Sequence, residues 1–174
     1  AYILMPYYEC GSLDMWIKET RPSEDMLRAS LRCILRAIAH LHANKVIHCD
    51  VHFANILVDR DGTPKITDFG LAKDSAGKSA LTGSNIGMGS LSYVAPEQAC
   101  GAHGVDRRAD LYALGCILWE MLTGRTPFHA PTTLDLFTCH LLKPAPSVAA
   151  RRADVPPAID RLLLSCMAKE VDER

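Results

Sequence analysis

The sequence predicts an α+β fold, mainly helical with short β-hairpins, and three observations carry that prediction. Leu27, Leu31, Ile34, Leu35, Ile38 and Leu41 recur at helical spacing. Asp110–Thr123 is apolar nearly all round, the pattern of a helix buried in the middle of a domain. Short β-like pieces stand between them, at Val46–Ile47, Ile56–Val58 and Lys65–Thr67, and the turn signal Asp59–Gly62 joins the last two.

In chain order, Ala1–Met5 reads as a buried strand and Pro6–Gly11 as a connector. Ser12 is placed to cap a short helix through Lys18. Ser23 is placed to cap the next one, with Glu24 and Asp25 in the first turn, where the helix dipole favours anions. Arg28, Arg32 and Arg36 lie on a separate face and read as a solvated stripe. Lys73–Gly89 is rich in Gly, Ser, Ala and Lys and predicts a long, mobile loop. Gly124 is positioned to end the apolar helix. Two more helices are expected, Thr133–Leu142 and Ala158–Lys169, the latter with Ile159, Leu162, Leu163, Cys166 and Met167 on one face.

The 174 residues suffice for one domain with a sizeable core. A first strand needs ladder partners, and none precedes Ala1, so the chain is expected to be part of a longer protein. The net charge of −1 carries no electrostatic footprint for nucleic acid or an anionic membrane. Seven cysteines are scattered singly with no C-x-x-C pair, which fits reduced thiols in the cytoplasm better than a disulfide framework or a zinc site. The longest apolar run, within Leu111–Gly124, contains Glu120 and is too short to span a bilayer. No signal-peptide pattern is present.

Three motifs stand in order. The first is His48-Cys49-Asp50-Val51-His52-Phe53-Ala54-Asn55, the second Asp68-Phe69-Gly70, and the third Ala95-Pro96-Glu97, preceded by Tyr93. Each is weak alone. Together their spacings agree, with a β-hairpin fitting between Asn55 and Asp68 and a 30-residue segment running from Asp68 to Glu97. As isolated residues, Asp50, Asn55 and Asp68 would be ordinary turn formers.

On these motifs the chain resembles the C-terminal lobe of eukaryotic-like protein kinases, most like bacterial Ser/Thr kinases. The resemblance covers essentially the whole chain, with Asp110–Gly115 similar to the start of the central helix and Ala168–Arg174 to the closing arginine motif, where Val171 stands for the usual Pro. It implies a kinase-like C-lobe, with the hairpins at the active cleft, and phosphorylation of Ser/Thr hydroxyls on proteins with ATP and Mg²⁺. Asp50 then accepts the substrate proton, and Asn55 and Asp68 hold the metal ions. Met5 falls at the gatekeeper, the Pro6 carbonyl and Tyr8 N–H at the adenine, Ser12 at the ribose, and Leu57 among the nucleotide-binding positions. Tyr7 and Tyr8 read equally as strand-edge packing by their side chains.

His48 matches a structural position that packs on Phe69 and meets Asp110, and Glu97 matches the partner of Arg174. The resemblance assigns residues 1–174 to the hinge and C-lobe. It leaves the Gly-rich loop, the ATP-binding Lys and the Glu-bearing helix to an N-lobe absent from this sequence, so activity is expected of a parent protein and not of this segment alone.

Within the first motif, two residues depart from the family pattern. Cys49 stands where an arginine commonly grips a phosphate on the activation loop, so modification of Ser75, Ser79, Thr82 or Ser84 is not expected to switch the enzyme by that contact. His52 stands where a lysine usually reaches the γ-phosphate, which predicts weakened, pH-sensitive transfer.

Three other readings follow from these departures. One is small-molecule phosphorylation, since aminoglycoside and choline kinases often carry D-x-H-x-x-N. The Tyr93–Glu97 platform speaks against it, and Ser90, where Ser/Thr kinases carry a Thr, favours Ser/Thr over Tyr as the acceptor. A second is a pseudokinase interaction module, opposed by the presence of Asp50, Asn55 and Asp68. The third is a zinc site of His48, Asp50 and His52.

Overall fold

The computed structural model describes residues 6–69, 73–74, 90–101 and 104–174. The expected strand at 1–5, Gly70 and most of the loop expected at 73–89 lie outside the described residues.

The connector after Pro6 leads into α1, Leu13–Thr20, which buries Leu13 and Trp16. Ser12 occupies the N-cap position, but its hydroxyl donates to Asp14 Oδ1 at 2.5 Å and receives no helix N–H. A carboxylate two residues on is the stronger local acceptor, so the expected side-chain cap does not form. In α2, Glu24–Ala43, Ser23 does cap, accepting the Met26 N–H at 3.4 Å. Its buried face is Ser30, Ile34 and Ile38. Leu35, expected on this face, is largely exposed, because it lies about 100° round the helix from Ile34. Arg28, Arg32 and Arg36 are exposed, as a solvated stripe requires.

The strands form two antiparallel pairs. β1, Val46–Ile47, pairs with β4, Lys73–Asp74, with Val46 opposite Asp74. The first two residues of the expected loop are therefore strand. β2, Ile56–Val58, pairs with β3, Pro64–Ile66, with Leu57 opposite Lys65. The turn between them closes through Asp59 N–H to the Thr63 carbonyl at 2.9 Å, and Gly62 takes φ +82°, which a glycine adopts without strain. Pro64 opens β3, the position where a missing N–H costs least.

The short helix α3, Pro96–Ala99, precedes α4, Arg108–Thr123, whose buried residues run round the helix from Ala109 to Trp119. It starts two residues before the expected Asp110, because Asp106 Oδ1 accepts the Arg108 N–H at 2.8 Å. Gly124, at φ +73°, ends it by donating its N–H to the Glu120 carbonyl. α4 packs on α6, on α2 and on the 3₁₀ turns at Ser90–Tyr93 and Val148–Ala150.

Around this axis lie α5, Thr133–Leu142, capped by Thr132, and α6, Pro157–Cys166. α6 stops three residues short of the expected Lys169. There the chain turns back, and the Arg174 guanidinium takes the Ala168 and Lys169 carbonyls at 2.9 and 3.3 Å. Leu162, expected on the buried face of α6, is about half exposed. Among the described residues no helix is long and apolar enough to cross a membrane.

Candidate active site

The loop after β1 is held from beneath by one buried carboxylate. Asp110, 1% exposed at the start of α4, accepts the backbone N–H of His48 at 3.0 Å and of Cys49 at 2.9 Å. The same carboxylate lies 2.7 Å from His42 Nε2 of α2. Three donors from two elements converge on it, which suits a buried charge. Cys49 takes φ +65°, a costly conformation for a residue with a side chain, and these two hydrogen bonds hold it there.

The meeting of His48 with Asp110 is thus made by the backbone. The imidazole is engaged elsewhere. Its Nδ1 accepts the Asp50 N–H at 3.3 Å, which leaves the proton on Nε2, and Nε2 donates to the Thr67 carbonyl at 3.1 Å. The ring packs on Phe69 with centroids 5.0 Å apart. His48 therefore ties the loop to the segment carrying Asp68.

Asp50 and Asn55 are brought together directly. Asn55 Nδ2 donates to the Asp50 carboxylate at 3.1 Å and to its backbone carbonyl at 3.0 Å. A 3₁₀ turn at Phe53–Asn55, closed by Asn55 N–H to the His52 carbonyl, sets this geometry. His52 Nε2 lies 3.6 Å from Asp50 Oδ1, longer than a hydrogen bond but close enough for a charge to be felt. Both side chains are only partly accessible, 12% for His52 and 19% for Asp50.

Asp68 follows Thr67, whose N–H and hydroxyl both donate to the Asn55 carbonyl, at 2.8 and 3.2 Å. Asp68 itself takes φ +60° and is exposed. The donor set fits Mg²⁺. Asn55 spends its N–H₂ on Asp50 and so retains Oδ1, Asp68 supplies a carboxylate, and hard oxygen donors are what that cation takes. Among the described residues no three His, Cys, Asp or Glu side chains converge as a metal site, so His48, Asp50 and His52 do not form a zinc centre.

Beside the β2–β3 hairpin, an isolated antiparallel bridge joins Ser12 to Leu57, and the Val58 N–H donates to the Gly11 carbonyl at 2.8 Å. Ser12, expected at the ribose, and Leu57, expected among the nucleotide-binding positions, are thereby neighbours. Pro6 and Tyr7 are exposed and Tyr8 is half-buried. Met5 lies outside the described residues.

On the opposite side, α3 carries the platform. Glu97 forms a two-pronged ion pair with Arg174, at 2.7 and 2.8 Å. Beyond the Ala95-Pro96-Glu97 motif lies the buried Gln98. Gln98 accepts the Ala95 N–H at 3.1 Å and donates to the Cys49 carbonyl at 2.7 Å, clamping α3 to the loop that carries Asp50. A Gln at the third helical position was the available signal. Glu120, which accepts the Tyr93 hydroxyl at 2.6 Å, had none beyond being a charge in an apolar helix.

The Asp–Asn loop is thus pinned on the central helix, with a hairpin on one side and the Glu97–Arg174 ion pair on the other. The chain belongs to the protein kinase domain family, which matches residues 1–174. It is 35% identical over 170 residues to serine/threonine-protein kinase PrkC of Bacillus subtilis, covering 97% of this chain and 26% of that protein. It is 41% identical over 147 residues to serine/threonine-protein kinase PknD of Mycobacterium tuberculosis, covering 84% of this chain and 22% of that protein. To the DNA damage-responsive serine/threonine-protein kinase RqkA of Deinococcus radiodurans it is 40% identical over 139 residues, 80% of this chain and 21% of that protein. The chain thus spans about a quarter of the length of the curated relatives it matches.

Proposed function

We propose that the protein containing this domain transfers the γ-phosphoryl group of ATP to Ser/Thr hydroxyls on proteins. The observation that carries the reading is the Asn55 amide bonded to the Asp50 carboxylate in a loop anchored on Asp110. Asp50 accepts the proton of the substrate hydroxyl as its oxygen bonds to the γ-phosphorus and the bond to the bridging oxygen of ADP breaks. The Asn55 contact fixes the carboxylate for that task. Asn55 and Asp68 are the residues that would hold Mg²⁺, which neutralises phosphate charge when bound. His52 stands in for the usual lysine, with an imidazole N–H as donor toward the γ-phosphate. In this reading Pro6, Tyr8, Ser12 and Leu57 form the adenosine side of the cleft, and Met5 takes the gatekeeper position by resemblance alone. The N-lobe parts of a kinase belong to the longer protein in this reading.

The test is transfer of labelled γ-phosphate from ATP to Ser/Thr protein substrates by the full-length protein. Asp50→Asn should lower the rate by about 10²–10⁴-fold with nucleotide binding retained. No transfer from the folded wild type would overturn the reading in favour of an interaction module. Transfer confined to small hydroxylated molecules would overturn its protein specificity.

A further inference from the structure

The residue that departs from the family pattern is braced by an aromatic ring. The Tyr93 and His52 rings are stacked, with centroids 6.0 Å apart and planes 24° from parallel. Tyr93 is 8% exposed and also meets Phe53, with centroids 6.2 Å apart. Its hydroxyl donates to Glu120 Oε2 of α4 at 2.6 Å. The chain of contacts therefore runs from the central helix through Glu120 and Tyr93 to His52, and from His52 Nε2 across 3.6 Å to Asp50.

This bracing answers a problem set by the imidazole itself. A lysine ammonium on a four-carbon stem delivers its charge in almost any side-chain orientation. A histidine is shorter, and its N–H groups point along fixed directions in the ring plane. It is useful at a phosphate only when that plane is held. Its own loop contributes a backbone hydrogen bond through the His52 carbonyl, which does not fix the ring. A flat, buried neighbour at stacking distance does.

We infer that Tyr93 is a positioning residue for His52: its ring, tethered by Glu120, holds the imidazole in the orientation that serves phosphoryl transfer beside Asp50. The tether is suited to the role. Burial, then the Glu120 carboxylate, push the Tyr93 phenol above its ordinary range, so it remains a donor. The inference rests on the kinase reading above.

A double-mutant cycle in the full-length protein tests it, with kcat measured at saturating ATP and peptide. Tyr93→Leu should lower kcat by about tenfold in the native background, since misorienting a reacting group is costly. On a His52→Lys background the same change should cost at most about twofold, because lysine needs no ring to aim it. Tyr93→Phe keeps the ring but loses the tether to Glu120, and should fall between Tyr93→Leu and the wild type. Glu120→Gln keeps both the ring and an acceptor for its hydroxyl, and should cost no more than Tyr93→Phe. In parallel, the His52 ring protons should show an upfield ring-current shift that Tyr93→Leu removes.

Equal losses in both backgrounds would overturn the inference while leaving the kinase reading standing, as would Tyr93→Phe behaving like Tyr93→Leu. Absence of the ring-current shift in the wild type would overturn the stack itself. No transfer from the wild type would overturn the kinase reading, and the positioning role with it.

Discussion

His140 is fully buried on α5, in surroundings that resist a charge on its ring. The Tyr112 hydroxyl lies 2.9 Å from Nδ1, and Phe128 meets the ring edge-on at 5.0 Å. Lys169 Nζ donates to the His140 carbonyl at 2.8 Å and sits over the Phe128 ring, 4.4 Å from its centroid. Burial, then the Lys169 ammonium, lower the His140 pKa to about 4. An unfolded histidine takes up its proton near pH 6.5. Between about pH 6.5 and about pH 4 the unfolded chain therefore binds more protons than the folded one, and folding stability falls as pH falls through that window. The loss tied to this residue is on the order of 3 kcal/mol, complete near pH 4. Denaturant titrations at pH 7 and pH 5 should show it in the wild type. In His140→Asn, which keeps an oxygen acceptor for Tyr112, it should be much smaller. An identical pH dependence in both proteins would remove His140 as its source.

At the scale of elements, α4 and the end of α6 approach each other closely at Gly115. A Cβ added at Gly115 would lie 2.9 Å from Cys166 Cβ and 2.9 Å from Met167 Cγ. In an exposed helix, Gly→Ala gains up to about 1 kcal/mol. Here the added methyl would push two helices apart, and overpacking of that kind costs about 1–3 kcal/mol. Gly115→Ala should therefore lower Tm, whereas the same change gaining stability would show that α6 shifts freely.

This junction also marks the limit of what was legible in the sequence. α4 and the start of α2 are legible because a near-continuous apolar run and a Ser cap are local signals. The end of α6 was not, because it is set by Arg174 bonding carbonyls that a helix would otherwise use. Leu35 and Leu162 were assigned to buried stripes because periodicity gives a helix face but not the width its neighbour covers. In the site, Asp50, Asn55 and Asp68 stand in ordered motifs, which single them out in the sequence, and Asp50 and Asn55 meet in the fold. The Gln98 clamp, the His42–Asp110 contact and the ring stacked on His52 join segments far apart in sequence, and no local pattern announces them.

Across the whole molecule, the Glu97–Arg174 pair joins the platform helix to the chain's last turn. The Arg174 side chain is fully buried and Glu97 is 12% exposed. The guanidinium meets both Glu97 oxygens and the carbonyls of Arg108, Ala168 and Lys169, and it lies over the Tyr112 ring at 5.0 Å. Arg174→Met would leave a buried carboxylate unpaired, which costs about 3–5 kcal/mol. Adding Glu97→Leu removes that orphaned charge and should recover part of the loss. Recovery should stop short of wild type, because three backbone carbonyls still lose their donor. Denaturant midpoints of the two single variants and the double variant measure this, and full recovery would mean those carbonyl contacts contribute nothing. The same set has a second readout. Gln98 sits next to Glu97 and holds the Cys49 carbonyl, so loosening α3 loosens the loop that carries Asp50. Arg174→Met should therefore lower kcat more than it weakens ATP binding, even at temperatures where the domain remains folded.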